Sequence, residues 1–353
     1  MKSLHSICAW HKFGFAAVLF AGAATAQTPP DLAGAMKLTG EARTNALAEG
    51  AKKESGPVMV YHSTQTEDLQ PVFDAFTKKY GIKVVDWRSS SENVVQRVLG
   101  ESRAGKRDVD FIENNSPEME ALRREKVLLR VETPFYADMR PGTLGAHHEY
   151  ATSTMDIFVQ AYNTEKVKPE ELPKTFQDLA NPRFHDRLAI EAEDFAWFGT
   201  LLNDMGEAQG VKLFSEVVAK NGISLRKGHT LLANLVVSGE VPIGLTVYNY
   251  KPTQLKKKGA MIDSIVLQPA IAQLHAVAVV ARSTRPFSAV LLYDFFLSEG
   301  QPILAAKDFV ASSSKVPSPY GDMPIRFIDP NQALDRQDAW QKQFDAIFVK
   351  RGR

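Results

Sequence analysis

The chain has 353 residues, 44% of them hydrophobic and 24% charged, which is ordinary for a soluble globular protein and long enough for two domains. A formal net charge of +1 excludes an overall basic nucleic-acid binder. No stretch reaches the roughly eighteen uninterrupted apolar residues of a membrane-crossing helix.

The first 26 residues read as a cleaved signal peptide. Lys2, His5, His11 and Lys12 make a positive start, Phe13 to Ala21 is apolar, and Ala24-Thr25-Ala26 fits the small-x-small rule for cleavage near Ala26. Removing Lys2 and Lys12 would take the formal charge to about −1. The single cysteine, Cys8, lies inside this segment and lacks a lipoprotein context, so the mature chain has no disulfide and relies on core burial. Export without disulfides or an anchor points to a bacterial periplasm.

From Asp31 to Ser55 the apolar spacing is helical, and Gly56-Pro57 ends it. Val58 to Tyr61 reads as a strand, with Thr64 and Glu67 spaced as a capping box for a helix carrying Leu69, Val72, Phe73 and Phe76 inward. Ile82 to Trp87 is a second strand, and Ser89-Ser90-Ser91 opens a helix. Val109 to Ile112 is a third strand, before Asn114, Asn115, an N-cap Ser116 and an N1 Pro117. Three repeats of strand, polar loop and helix imply a parallel sheet flanked by helices.

Met155 to Tyr162 and Leu274 to Val280 are apolar strands suited to crossing between two α/β units, and Val266-Leu267 is a short strand. Between the crossovers, Arg187 to Ile190 is a strand followed by Glu191, Glu193 and Asp194, an acidic loop that either caps the next helix or holds a hard cation, with capping preferred. Helices are expected over 195–205, 208–220 and 231–238. Ile243 to Val247 is a buried strand opening into a polar aromatic loop, Tyr248-Asn249-Tyr250-Lys251-Pro252. Pro286 to Leu297 and Asn331 to Lys350 read as helices. The division is 27–157 with 274–353 as one lobe and 158–273 as the other.

No Gly-x-Gly-x-x-Gly, Walker or Gly-x-Ser-x-Gly motif is present, and no cysteine nucleophile survives processing. His147-His148-Glu149 lacks the further histidine of a zinc set. No catalytic residue and no cofactor is assigned, and no constellation of residues argues for an enzyme. What the strand ends do carry is a set of polar and aromatic side chains: His62, Ser63, Thr64, Arg88, Ser90, Asn114, Asn115, Asp194, Trp197, Tyr248 and Tyr250. Such edges, facing across a hinge, make a cleft for a small ligand.

Six segments in order resemble the bacterial extracellular solute-binding proteins of ABC importers, in the ferric-iron-type group. They are Ala51 to Ser63, Phe76 to Val84, Glu101 to Gly105, Pro173 to Leu179, Ser238 to Ile243 and Phe296 to Gln301. The resemblance implies a two-lobed periplasmic binding protein type II fold, each lobe a mixed sheet flanked by helices with the cleft between them. It also implies a protein that hands its solute to an inner-membrane ABC permease and is itself no enzyme; a monomer with no nucleic-acid partner is expected. The alternatives are an accessory protein presenting its closed form to a membrane receptor and, behind that, a periplasmic enzyme.

The family's iron binders use a tyrosine pair where Tyr248-Asn249-Tyr250 stands, helped by a His near His62 and a Glu after the third strand. Here Asn249 splits the pair and the Glu position aligns near Asn114 or Asn115, with Glu113 one residue away. The expected metal ligands are therefore Tyr248, Tyr250 and His62. The expected solute is a small organic or phosphorylated anion first, with Trp197 stacking on it, and ferric iron second.

Overall fold

The computed structural model describes residues 30–349; the expected signal peptide lies outside them. In chain order the elements are α1 (Pro30–Met36), α2 (Gly40–Ala51), β1 (Val58–His62), α3 (Thr66–Tyr80), β2 (Val84–Arg88), α4 (Ser91–Arg103), β3 (Phe111–Asn115) and α5 (Ser116–Arg124). The long β4 (Ala151–Asn163) leads to β5 (Leu188–Glu191), α6 (Phe195–Met205), α7 (Glu207–Asn221), β6 (Ser224–Arg226), α8 (His229–Ser238), β7 (Ile243–Tyr248), α9 (Tyr250–Lys257) and β8 (Ile262–Ile265). The chain returns through β9 (Ala270–Val279), α10 (Pro286–Leu297), α11 (Gly300–Ala306), β10 (Val310–Ala311), β11 (Ile325–Phe327), α12 (Pro330–Asp335) and α13 (Gln337–Phe344). Among the described residues no helix is long and apolar enough to cross a membrane.

The local signals explain most boundaries. In α3, Leu69, Val72, Phe73 and Phe76 share the buried face, and Gly81 ends the helix in the left-handed region at φ 72°. Ser90 caps α4, its hydroxyl accepting from the Asn93 amide. The capping box expected from Thr64 and Glu67 does not form, because α3 starts two residues later and the Thr64 hydroxyl is used elsewhere. The short strand expected at 266–267 lies instead at 262–265.

The strands run in the order β2-β1-β3-β9-β4-β7-β5-β6, with β8 and β10 added on β4 and β11 on β9. β1 pairs in parallel with β2 and β3, and β5 in parallel with β6 and β7, so each half is built on the expected strand–helix repeat. β4 and β9 join the halves. The first part of β4 lies antiparallel to β9 and its last residues, from Phe158, pair with β7. Both strands are buried along their whole length, as the apolar runs require.

The closing segment was expected as one helix and is two. α12 lies against the first half, where Arg124 of α5 donates to Asp335 (2.5 Å) and Asn331 (3.1 Å). α13 lies against the second, with Trp340 and Phe344 packed among Phe198, Phe214 and Phe348. The break between them lets one short segment touch both halves. Gly199 on α6 makes room for the indole, since a Cβ there would collide with the Trp340 ring. Gly199→Ala is expected to cost about 1–3 kcal/mol through this overpacking, read as a lowered thermal midpoint.

Candidate functional site

β7 carries the site's centre. Leu245, Thr246 and Val247 are fully buried, and the strand is held to β4 with Tyr248 opposite Phe158. The expected loop after it is not a loop. Tyr248 is the last strand residue and Tyr250 the first residue of α9, with Asn249 as the hinge between them. Asn249 is tied to β4 twice: its amide donates to the Ile157 carbonyl (2.9 Å) and its side-chain oxygen accepts from the Ile157 amide (2.8 Å). The turn from strand to helix brings Tyr248 and Tyr250 to the same side, their rings within 18° of parallel and 6.2 Å apart.

Tyr248 also lies 4.0 Å from the His229 ring and 5.0 Å from Phe158, while Tyr250 leans on Phe309 at 4.2 Å. Both phenols are pushed well above the usual tyrosine range by burial, then by the charges of Asp194 for Tyr248 and Asp156 for Tyr250. Burial and neighbouring charges are the leading causes of both shifts, and no hydrogen bond to either phenol is seen among the described residues. Two neutral phenols thus face a cleft of about 930 Å³.

Nine of the eleven residues expected at the site line this cleft: Ser63, Thr64, Arg88, Ser90 and Asn115 from the first half, Asp194, Trp197, Tyr248 and Tyr250 from the second. The other two do not. His62 is fully buried, and its ring nitrogens are engaged by the Thr64 carbonyl and by Asp86, each at 2.9 Å. It holds the β1–α3 turn to β2. Asn114 donates to the Ser91 carbonyl (3.0 Å) and so ties β3 to the start of α4. Trp197 is only 1% exposed and meets Phe214 edge-on, which leaves little ring for a solute to stack on.

Glu113 stands one residue before the position where the resemblance puts a carboxylate, and it is not among the residues that line the cleft. It sits behind the cleft wall at 2% exposure, one oxygen accepting from the Thr64 hydroxyl and from His275 Nδ1 (both 2.7 Å), the other from the amides of Ser63 and Thr64 (3.3 Å each). The backbone donors that could have held a solute anion are filled by the protein's own carboxylate. Burial pushes Glu113 up, but the His275 charge and hydrogen bond, His62 and the Thr64 hydroxyl outweigh it and bring the carboxyl down to about 2. Burial pulls His275 down, yet Glu113 and Asp156 carry it up to about 9. Asp156, 3.5 Å from the other ring nitrogen, is pushed up by burial to about 6.

The remaining cleft wall is acidic. Glu118, Glu191 and Asp194 all line it. Burial lifts Glu118 to about 7 and, with the nearby Glu191 charge, lifts Asp194 well above the carboxylate range. Asp194 precedes α6 but makes no capping hydrogen bond, contrary to the preferred sequence reading; its carboxylate faces His229 Nε2 at 3.4 Å. Sequence reasoning missed Glu118, His229, Gln273 and His275, all in the lining. Each is a lone residue in an unremarkable local setting, so no spacing signal marks it.

A family model described as bacterial extracellular solute-binding protein matches residues 127–334. The chain is 26% identical over 207 residues to the Fe(3+)-binding periplasmic protein of Serratia marcescens, covering 58% of this chain and 60% of that one. It is 23% identical over 213 residues to the major ferric iron-binding protein of Neisseria gonorrhoeae, covering 57% and 62%. The matches thus span about three fifths of these relatives' length. Among solved structures, iron-bound HitA from Pseudomonas aeruginosa superposes with a TM-score of 0.71 at 17% identity, covering 82% of this chain and 99% of the other. AfuA from Actinobacillus pleuropneumoniae, bound to fructose-6-phosphate, gives 0.71 at 17%, covering 84% and 99%. These likenesses carry the two-lobed type II periplasmic binding fold, as expected from the sequence. The chain belongs to the bacterial extracellular solute-binding protein family.

Proposed function

We propose that this chain is the periplasmic substrate-binding component of an ABC-type importer, closing on a solute in the cleft and delivering it to an inner-membrane permease as a monomer. The lobes are taken as the parts up to residue 157 and from 274, and residues 158–273, with α12 and α13 spanning both. Closure would turn at β4 and β9, the two strands that join the halves. The solute is a hard cation, with ferric iron the first candidate. The observation that carries this reading is the pair of phenols of Tyr248 and Tyr250, without hydrogen bonds, in a cleft walled by Glu118, Glu191 and Asp194. Phenolate and carboxylate oxygens suit a small, highly charged ion, and such an ion would displace the phenol protons.

The order of solutes expected from sequence is thereby reversed. The amides of Ser63 and Thr64 are taken by Glu113, which removes the backbone donors an anion would use there. A small organic or phosphorylated anion keeps footholds in Arg88 with Ser90 on the exposed rim and in Lys227 and His275 of the lining. The names of the similar proteins, three for iron (two relatives and one structure) and one structure with a sugar phosphate, support both chemistries.

The test is a thermal-shift and absorbance screen on purified protein. Ferric citrate should raise the midpoint in proportion to the logarithm of free ligand over its dissociation constant and bring up a visible phenolate-to-iron band. A colourless protein with ferric salt removes iron, and stabilisation by a sugar phosphate or phosphonate in its place installs the anion. No shift with any solute at millimolar concentration sinks the binding reading.

A further inference from the structure

We propose that Glu191, Asp194 and His229 form a site for a divalent first-row transition ion in the second-half wall of the cleft. This goes beyond the function proposed above, because it requires neither phenol and no ferric iron. The three side chains come from two places in the chain, the β5–α6 turn and the first residue of α8. Their donor atoms all lie within 4.8 Å of one another, with Asp194 Oδ1 3.4 Å from His229 Nε2. Donors on a tetrahedral ion with bonds of about 2.1 Å stand about 3.4 Å apart, so that pair already has the required spacing.

The surroundings aim these atoms. His229 Nδ1 lies 3.0 Å from the Thr246 carbonyl, which can only accept. The ring hydrogen is therefore on Nδ1, and the neutral imidazole turns its Nε2 lone pair toward Asp194. The same Thr246, fully buried on β7, accepts the Glu191 amide on its hydroxyl (3.0 Å) and fixes that side of the trio as well. The Glu191 carboxylate is anchored by the amides of Gly228 (2.8 Å) and Glu193 (2.6 Å), with lone pairs to spare on both oxygens.

Asp194 supplies the second, independent observation. It is 7% exposed, and its Oδ2 is buried without a hydrogen bond of normal geometry, the nearby Thr246 hydroxyl acting on the carboxylate only from outside that range. Burying a carboxylate oxygen without a donor is unfavourable, and the helix start beside it does not use it. Lys227, the near cation, reaches Glu193 at 2.6 Å instead and is mostly exposed. Among the described residues His229 is the one recorded ion-pair partner of Asp194. One imidazole nitrogen beside two carboxylates selects manganese, iron(II), cobalt or zinc over calcium or magnesium, which prefer all-oxygen sets.

The probes are zinc and cobalt(II) added to chelator-stripped full-length protein. One equivalent of zinc should bind by calorimetry, and cobalt(II) should give visible d–d bands that zinc competes away, while calcium and magnesium leave both signals unchanged. His229→Ala and Asp194→Asn should each weaken zinc binding by about 100-fold or more, with circular dichroism showing the fold intact; Asp194→Asn nearly preserves side-chain shape. The proposal is overturned by absent saturable zinc and cobalt binding, by binding that survives in both variants, or by a site that answers only to organic amines. Ferric iron is run on the same preparation. A charge-transfer band without cobalt binding defeats the trio and leaves the iron reading standing, and cobalt binding without the band does the reverse.

Discussion

Glu113→Gln is expected to destabilise the protein by about 3–5 kcal/mol, the cost of leaving one member of a buried ion pair alone. His275 would lose its 2.7 Å partner while still sealed at 5% exposure, and the amides of Ser63 and Thr64 would lose their anion. The wild-type pair also sets the pH profile. Glu113 falls from 4.5 to about 2, so the stability it contributes is full above pH 4.5 and is lost as the pH drops toward 2. His275 rises from 6.5 to about 9, so its contribution is full below pH 6.5 and is lost as the pH climbs through 9. Both describe one interaction and are not added.

Asp156 and Glu118, lifted to about 6 and about 7, tilt the profile the same way, because the folded chain holds their protons more tightly than the unfolded one. Asp156 and Glu118 lose their contribution between about pH 4 and 7 and His275 between 6.5 and 9, so denaturant melts from pH 3 to 9.5 should show a maximum at about pH 4.5 and a decline from there toward 9. In Glu113→Gln the decline above pH 6.5 should flatten. A wild-type curve still rising from pH 6.5 to 9 would contradict the buried pair.

The double substitution Tyr248→Phe, Tyr250→Phe is expected to abolish the ferric charge-transfer band and to weaken ferric binding by at least about 100-fold, more than the loss of an outer-shell partner costs. It should leave the fold nearly untouched. Both rings keep their stacking with His229 and Phe309, and neither phenol has a protein hydrogen bond to lose. The thermal midpoint without solute should move little, within about 0.5 kcal/mol of stability, so a drop in affinity reports ligands and not unfolding. Retention of the band in the double variant would move the iron ligands elsewhere in the cleft.

The tyrosines also mark where sequence reasoning reaches its limit. Asn249 between them looked like a break in the family's pair, and alternate residues on an extended segment would face opposite ways. The structure keeps them together because the chain changes from strand to helix at Asn249, whose side chain is spent on β4. Nothing in the five letters Tyr-Asn-Tyr-Lys-Pro announces that change. His62 was drawn toward the site by its place after the first strand, yet its partner Asp86 comes from a neighbouring strand and turns it into a structural tie.

The sequence alone determined what is periodic or local: the strand–helix alternation, the buried crossover strands, the helix start at Ser89-Ser90-Ser91, the strand ends that line the cleft, and the family motifs. Those signals repeat every two or three to four residues, or sit within one turn, and burial enforces them wherever they occur. Only the tertiary structure decided the chemistry between distant residues. Glu113 meets His275 across 162 positions, Asp194 meets His229 from a separate helix, and the closing segment divides to touch both halves. A single buried histidine or carboxylate has no period. Its charge, and whether it faces a solute or a neighbour, is fixed by the few atoms that folding brings within about 4 Å.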